Sequence, residues 1–279
     1  MDLDALIAQA YNLEPLPLSA ARLAGLVANP DSNISSITEV ISLDPSLTVR
    51  VLRAANSARL ASRSSITNVN DAVVRLGRGT ILSIVVGSAA RKHLQRSVPE
   101  YGLVENTLWK HSVAAALVAE TIGQICRVSV PPESFAAALL HDIGKLVLGR
   151  FLDEKTLALL HDAQTQGHLN PLDAEKEILQ VNHAELGGLI AQKWGLPESI
   201  VKGISYHHQP DEGDERICDV ICVSNDIAIA TGLVNLPAPE WPENHASAFQ
   251  RLGLDNDAQV RVADAVKNRF NQVIDRFAK

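Results

Sequence analysis

A chain of 279 residues with 46% hydrophobic content can bury a sizeable core, which excludes a disordered protein and leaves room for one large domain or two smaller ones. Its formal net charge of −7 argues against a general nucleic-acid binder, and three cysteines, an odd number, argue against a disulfide framework. The acidic opening MDLDALIAQA lacks the features of a secretory signal and no apolar run nears the ~18 residues of a membrane span, so a soluble, cytoplasmic protein without membrane contact is expected.

Apolar residues recur at three- and four-residue spacing almost throughout and aromatic residues make up only 4%, so the chain reads as a string of helices without substantial sheet. Near the start, Ser36-Ile37-Thr38-Glu39 reads as a capping box, and Asp44-Pro45 as an N-cap followed by proline at the first helical position. Gly77 and Gly79 separate a helix containing Ala72, Val73 and Leu76 from one through Ile81, Ile84 and Val85 that ends near Leu94. After a break at Ser97 to Gly102, helical segments are expected at 105–126, 133–150, 153–167, 171–194, 197–208 and 214–232. Trp194-Gly195-Leu196-Pro197 reads as a helix stop and restart, and Leu236 to Pro242 as an extended connector. Two terminal helices, Ala246 to Leu254 and Asp257 to Phe277, are expected to pack back on the body. The organisation expected is an N-terminal helical lobe over 1–100, a second lobe over 101–236 and C-terminal helices over 237–279.

Charge is unevenly spread: residues 45–99 carry nine basic side chains against one acidic, whereas residues 1–44 carry one against six. Arg50, Arg53, Arg59, Arg63, Arg75 and Arg78 could meet an acidic partner surface or a phosphorylated ligand, although a solvated face balanced by the acidic regions reads equally well. The short helices of 36–60 admit a helix-turn-helix, but the acidic total argues against DNA. Cys218 and Cys222, four apart in an apolar run, read as core, as does Cys126.

Five of the nine histidines, His111, His141, His183, His207 and His208, fall in apolar helical settings. His111 has Leu108, Ala114 and Ala115 as its three- and four-apart neighbours, and His183 has Leu179, Leu186 and Gly187, so both rings point inward. Asp142 follows the apolar run Phe135 to Leu140, and Asp226 is flanked by Cys222, Val223, Ile229 and Ala230. A buried carboxylate in such a place costs several kcal/mol unless paired or metal-bound. Taken singly, each histidine reads as a hydrogen-bonded core residue. Together, imidazoles and carboxylates from separate helices are the donor set of a divalent metal site with one or two ions, Fe, Mn, Ni, Co, Mg or Zn.

The order His111, then His141-Asp142 within Leu-Leu-His-Asp-Ile-Gly-Lys145, then Asp226 on a late helix resembles the pattern of the HD superfamily of metal-dependent phosphohydrolases. Trp109-Lys-His-Ser112, Asn182-His-Ala-Glu-Leu-Gly187, Trp194-Gly-Leu-Pro197 and His207-His208 are similar to the HDOD family. So are Leu16-Pro-Leu18, Ile41-Ser-Leu-Asp-Pro45, Leu52-Arg-Ala-Ala-Asn-Ser57 and Ala72-Val-Val-Arg-Leu-Gly77, and the likeness spans about residues 14 to 232.

The resemblance implies an all-α HD-type bundle with an N-terminal helical lobe and a role as a bacterial signalling output module, acting on a protein partner or a phosphorylated small ligand. It also admits a phosphohydrolase, in which His111, His141, Asp142 and Asp226 hold one metal and His183, His207 and His208 a second. Asp142 and Lys145 are then the candidate catalytic residues, Lys145 binding a phosphate oxygen or protonating the leaving group. The related HD-GYP phosphodiesterases carry a glutamate after the paired histidines and a Gly-Tyr-Pro segment. This chain reads Gln209-Pro210-Asp-Glu-Gly-Asp there and lacks both.

Overall fold

The computed structural model describes residues 3–56, 66–236 and 245–278. Its first six helices are α1 (Leu3–Tyr11), α2 (Leu18–Ala28), α3 (Ile34–Ser42), α4 (Pro45–Ala55), α5 (Val69–Leu76) and α6 (Arg78–Leu94). Polar caps start α3, α4 and α5: the side chain of Asp44 accepts from the amides of Ser46 and Leu47 with Pro45 at the first position of α4, and Asn68 caps α5 through the amide of Asp71. The expected box at Ser36–Glu39 is displaced. The helix begins one turn earlier, where Asn33 accepts from the Ser36 amide, because that start places Ile37, Val40 and Ile41 together on the buried face. Gly77, at φ +78, provides the left-handed corner between α5 and α6, whereas Gly79 lies inside α6, where a β-carbon would press on the carbonyl of Pro132.

The next group comprises α7 (Thr107–Cys126), α8 (Ser134–Leu140), α9 (Lys145–Leu148), α10 (Glu154–Thr165), α11 (Pro171–Leu179), α12 (His183–Lys193), α13 (Glu198–Ser205), α14 (Pro210–Gly213) and α15 (Arg216–Ala230). The chain closes with α16 (Ala246–Arg251) and α17 (Asn256–Ala278). Among the described residues there is no β-strand, only an isolated bridge between Val98 and Leu103. The fold is all-α.

Helix α7 is the axis. Its 20 residues are apolar on every side and 14 are buried, the pattern of a helix surrounded by others, here α8, α15 and α17. One continuous buried cluster runs from Leu6 to Phe270, and each large side chain fully removed from water in it contributes about 1.5–3 kcal/mol. Cys218 and Cys222 belong to that cluster, while Cys126 is half-buried at its margin. No single helix among the described residues is long and apolar enough to cross a membrane.

Two expected segments are broken, and both breaks serve the interior. The span 133–150 stops at Leu140, turns through His141–Gly144 and restarts as α9. A β-carbon on Gly144 would collide with the His183 carbonyl oxygen, so glycine lets α12 approach this turn. The span 171–194 is two helices. Gln180 at φ +65 ends α11, and Asn182 with Glu185 forms a reciprocal capping box that starts α12. The connector expected at 236–242 lies, beyond Leu236, outside the described residues, as do Ser57, Arg59 and Arg63.

Candidate metal centre

Four parts of the chain bring six of the seven expected ligands together: α7 carries His111, the turn after α8 carries His141 and Asp142, α12 opens on His183, and His207 and His208 follow α13. Two groups form, His111–His141–Asp142 and His183–His207–His208, each with ligand atoms within 4.8 Å of one another. Asp142 joins them. Its Oδ2 lies 3.4 Å from His141 Nε2 and 3.7 Å from His111 Nε2, while Oδ1 lies 3.4 Å from His183 Nε2 and 3.8 Å from His207 Nε2.

The outer edges of the rings fix which nitrogen faces inward. His141 Nδ1 donates to the Ala138 carbonyl at 2.7 Å and His207 Nδ1 to the Ile204 carbonyl at 2.7 Å. His183 Nδ1 donates to Glu175 Oε2 at 2.8 Å, and the same oxygen accepts the His183 backbone amide at 2.7 Å. Carbonyls and carboxylates only accept, so each Nδ1 carries the proton and each Nε2 presents a lone pair to the centre.

Burial and neighbouring imidazoles keep His111 and His207 uncharged. Removal from water, reinforced by His141, lowers His111 to about 3. Burial, then His208 and His141, push His207 well below the usual imidazole range. Asp142 goes the other way: burial opposes its ionisation, but His141, Lys145 and His183 outweigh that and hold the carboxyl well below its ordinary value.

The outcome is a ring of acceptors. Asp142 Oδ1 and His207 Nε2 are buried with no hydrogen-bond donor among the described residues, an arrangement that costs free energy unless a cation or proton enters. Nε2 atoms approach one another at 3.2 Å (His111, His141) and 3.1 Å (His183, His208), close to the ~3.0–3.4 Å between two nitrogens that each bind one ion at about 2.1 Å. The donor set therefore fits a divalent cation.

Asp226 lies outside both groups, in a third one with Cys222 and His245. Its Oδ2 pairs with His245 Nδ1 at 2.7 Å and it groups with Cys222, while the neighbouring Asn225 reaches inward, its Oδ1 3.0 Å from His111 Nε2. One residue rotates a helical side chain by about 100°, and α15 is apolar on nearly every side, so periodicity does not separate positions 225 and 226. His245 Nε2 in turn donates to the His208 carbonyl at 3.2 Å, which ties Asp226 to the centre at one remove.

Lys145 is present but engaged: Nζ donates to Asp142 Oδ2 at 2.8 Å and sits 5.9 Å from the centre of the Tyr101 ring. Two further participants escaped sequence reasoning. Glu175 is buried, accepts from Tyr101 Oη at 2.9 Å and orients His183; its spacing with Leu172 and Leu179 on one face was the available signal. Asn225 carried no such mark. Among the arginines, Arg78 is spent internally, donating to the Leu26 and Asn29 carbonyls at 2.7 Å and to Ser32 Oγ.

Three comparisons bear on the family. The chain is 25% identical over 264 residues to an uncharacterised protein of Treponema pallidum (strain Nichols), covering 93% of this chain and 50% of that one, so it spans about half that relative's length. A proposed phosphohydrolase from Shewanella amazonensis SB2B superimposes with TM-score 0.64 at 28% identity, over 95% of this chain and 94% of that one. An HDOD domain protein with unknown function from Geobacter sulfurreducens superimposes with TM-score 0.68 at 21% identity, over 100% and 99%, a likeness of fold. The HDOD domain model itself matches residues 13–210, which takes in all six converging ligand positions, His111 to His208. By that match and by its fold, this chain belongs to the HDOD family.

Proposed function

We propose that this chain is a cytoplasmic signal-transduction output module whose His/Asp centre holds one or two divalent cations, and that it acts by contact with a protein partner or a phosphorylated ligand. The observation that carries the metal reading is the ring of acceptors, three imidazoles anchored through Nδ1 with their Nε2 lone pairs turned toward an ionised, buried Asp142. His111, His141 and Asp142 would hold one ion, and His183, His207 and His208 a second, with Asp142 between them. Five imidazoles beside one carboxylate favour Fe, Ni or Zn over Mg. A bound cation would supply positive charge that offsets the burial of these groups and could polarise a phosphoryl oxygen.

Closure of the centre favours the signalling role. Of the six donors only His208 is not fully buried, and structural metal sites are closed where catalytic ones keep an open position. Lys145, held by Asp142 Oδ2, positions that carboxylate rather than standing free as a proton donor. Gln209, where the HD-GYP pattern has glutamate, agrees.

A metal-dependent phosphohydrolase is the second reading, favoured by the 28% identity to the proposed phosphohydrolase of Shewanella amazonensis, with Asp142 and Lys145 as its catalytic residues. Incubation of the purified chain with bis-p-nitrophenyl phosphate in added Mn or Fe separates the two. The module should give no turnover above the metal blank; turnover that Asp142→Ala abolishes would establish the hydrolase instead.

A further inference from the structure

The basic stretch of the sequence converges on a second concavity. A cavity of about 1240 Å³ opens between α4–α6 on one side and α7, α8 and α17 on the other. Five arginines line it, Arg50, Arg53, Arg75, Arg91 and Arg269, against one acid, Glu120, which is already paired with Arg269 at 2.8 Å. Arg53, Arg75 and Arg91 have no hydrogen-bond or ion-pair partner among the described residues, and the Nε atoms of Arg91 and Arg269 are buried without an acceptor. Like charges gathered without counter-charges repel, and a fork of guanidinium donors matches phosphate oxygens in pairs.

The remaining surface is apolar. Leu117 is buried in the wall, Ile84 and Phe135 are half-buried, and Leu76 and Val273 complete that face. At the edge stands the start of α6, where Gly77, Gly79 and Thr80 line the cavity and no side chain caps the helix, leaving its first amides and the positive end of its dipole toward an anion. Small-molecule sites commonly enclose about 300–1,000 Å³, so this one suits a large, amphipathic ligand.

We infer that this cavity binds a nucleotide, with the phosphates on Arg50, Arg53 and Arg75 beside the first turn of α6 and the base against Ile84, Leu117 and Phe135. The inference gives a place and a chemical class to the ligand contact proposed above, and it rests on that reading for its signalling meaning. The cavity stands apart from the metal centre yet shares two helices with it: Leu117 lies six residues beyond His111 on α7, about 9 Å along the axis, and Phe135 lies in the first turn of α8, which leads into His141.

Calorimetric titration of the full chain with ATP, pyrophosphate, adenosine and an oligo-glutamate peptide tests it. ATP should bind saturably and more tightly than pyrophosphate or adenosine, and the pair Arg53→Glu with Arg75→Glu should weaken it at least tenfold without changing metal content. Should that double reversal unfold the chain, Arg53→Gln with Arg75→Gln should weaken ATP at least threefold. Photolabelling with 8-azido-ATP should mark peptides of α6 or α8. No saturable ATP binding, equal binding of pyrophosphate, indifference to the arginine variants, labelling confined to α12 and α13, or tighter binding of oligo-glutamate would each overturn the inference. Metal content measured on the same samples keeps its failure distinct from failure of the metal reading.

Discussion

Residues 3–94 and residues 107–230 are built alike, from capped helices around apolar stripes, but they bury different side chains. In the first region the only buried polar side chain among the described residues is His93, its ring tilted 38° to that of Trp194 at 5.8 Å between centres. The second buries five donors of the metal centre together with Glu175, Asp219 and Asn225. One region is held by transfer of apolar surface out of water. The other has spent part of that stabilisation to enclose groups that water would solvate better, which natural cores do where a site is made. Charge is divided in the reverse sense: the first region sends its uncompensated arginines to a cavity wall, while the second encloses one central carboxylate among imidazoles, of which burial holds His111 and His207 neutral.

If the second region depends on a cation and the first does not, chelation should have the largest effect. A cation bound at about a thousand times its dissociation constant adds roughly 4 kcal/mol, so dialysis against a strong chelator should lower the melting temperature by about 10 °C, read by differential scanning calorimetry. Next comes Leu23→Ala in the fully buried face of α2, expected to cost about 3 kcal/mol in denaturant titration while metal per chain stays unchanged. A change in metal content there would show the two regions to be coupled. Smaller again, Glu175→Gln should weaken metal affinity about 10- to 100-fold in competition with a chromophoric chelator, because His183 loses the carboxylate that orients it. The smallest change is Asp44→Ala, which removes the cap of α4 and should cost about 1 kcal/mol with no effect on metal.

Legibility in the sequence followed the same division. Where a local rule acts alone the reading was accurate: Asp44-Pro45 opens α4, and Gly195, at φ +71, ends the helix before Pro197 as expected. Local rules misled where two candidates competed within one turn. Asn33 and Ser36 both cap helices, and burial of Ile37 and Ile41 selected the earlier. Asn225 and Asp226 are adjacent on a helix apolar all round, so periodicity left open which of the two meets His111, and it is the asparagine that does while the aspartate meets His245. The break at Gln180 was written in Asn182-His-Ala-Glu185, a capping box inside a span that looked continuous. The approach of α12 to Gly144 left no local mark, because it depends on an element almost 40 residues along the chain.

Elemental analysis of freshly purified chain beside its Asp142→Asn variant tests the central claim most directly, since among the described residues that carboxylate alone touches both histidine groups. The account predicts one to two divalent ions per wild-type chain and less than a tenth of that in a variant that still folds. Wild-type chain free of metal after purification in metal-supplemented buffer, or equal content in both proteins, would contradict it.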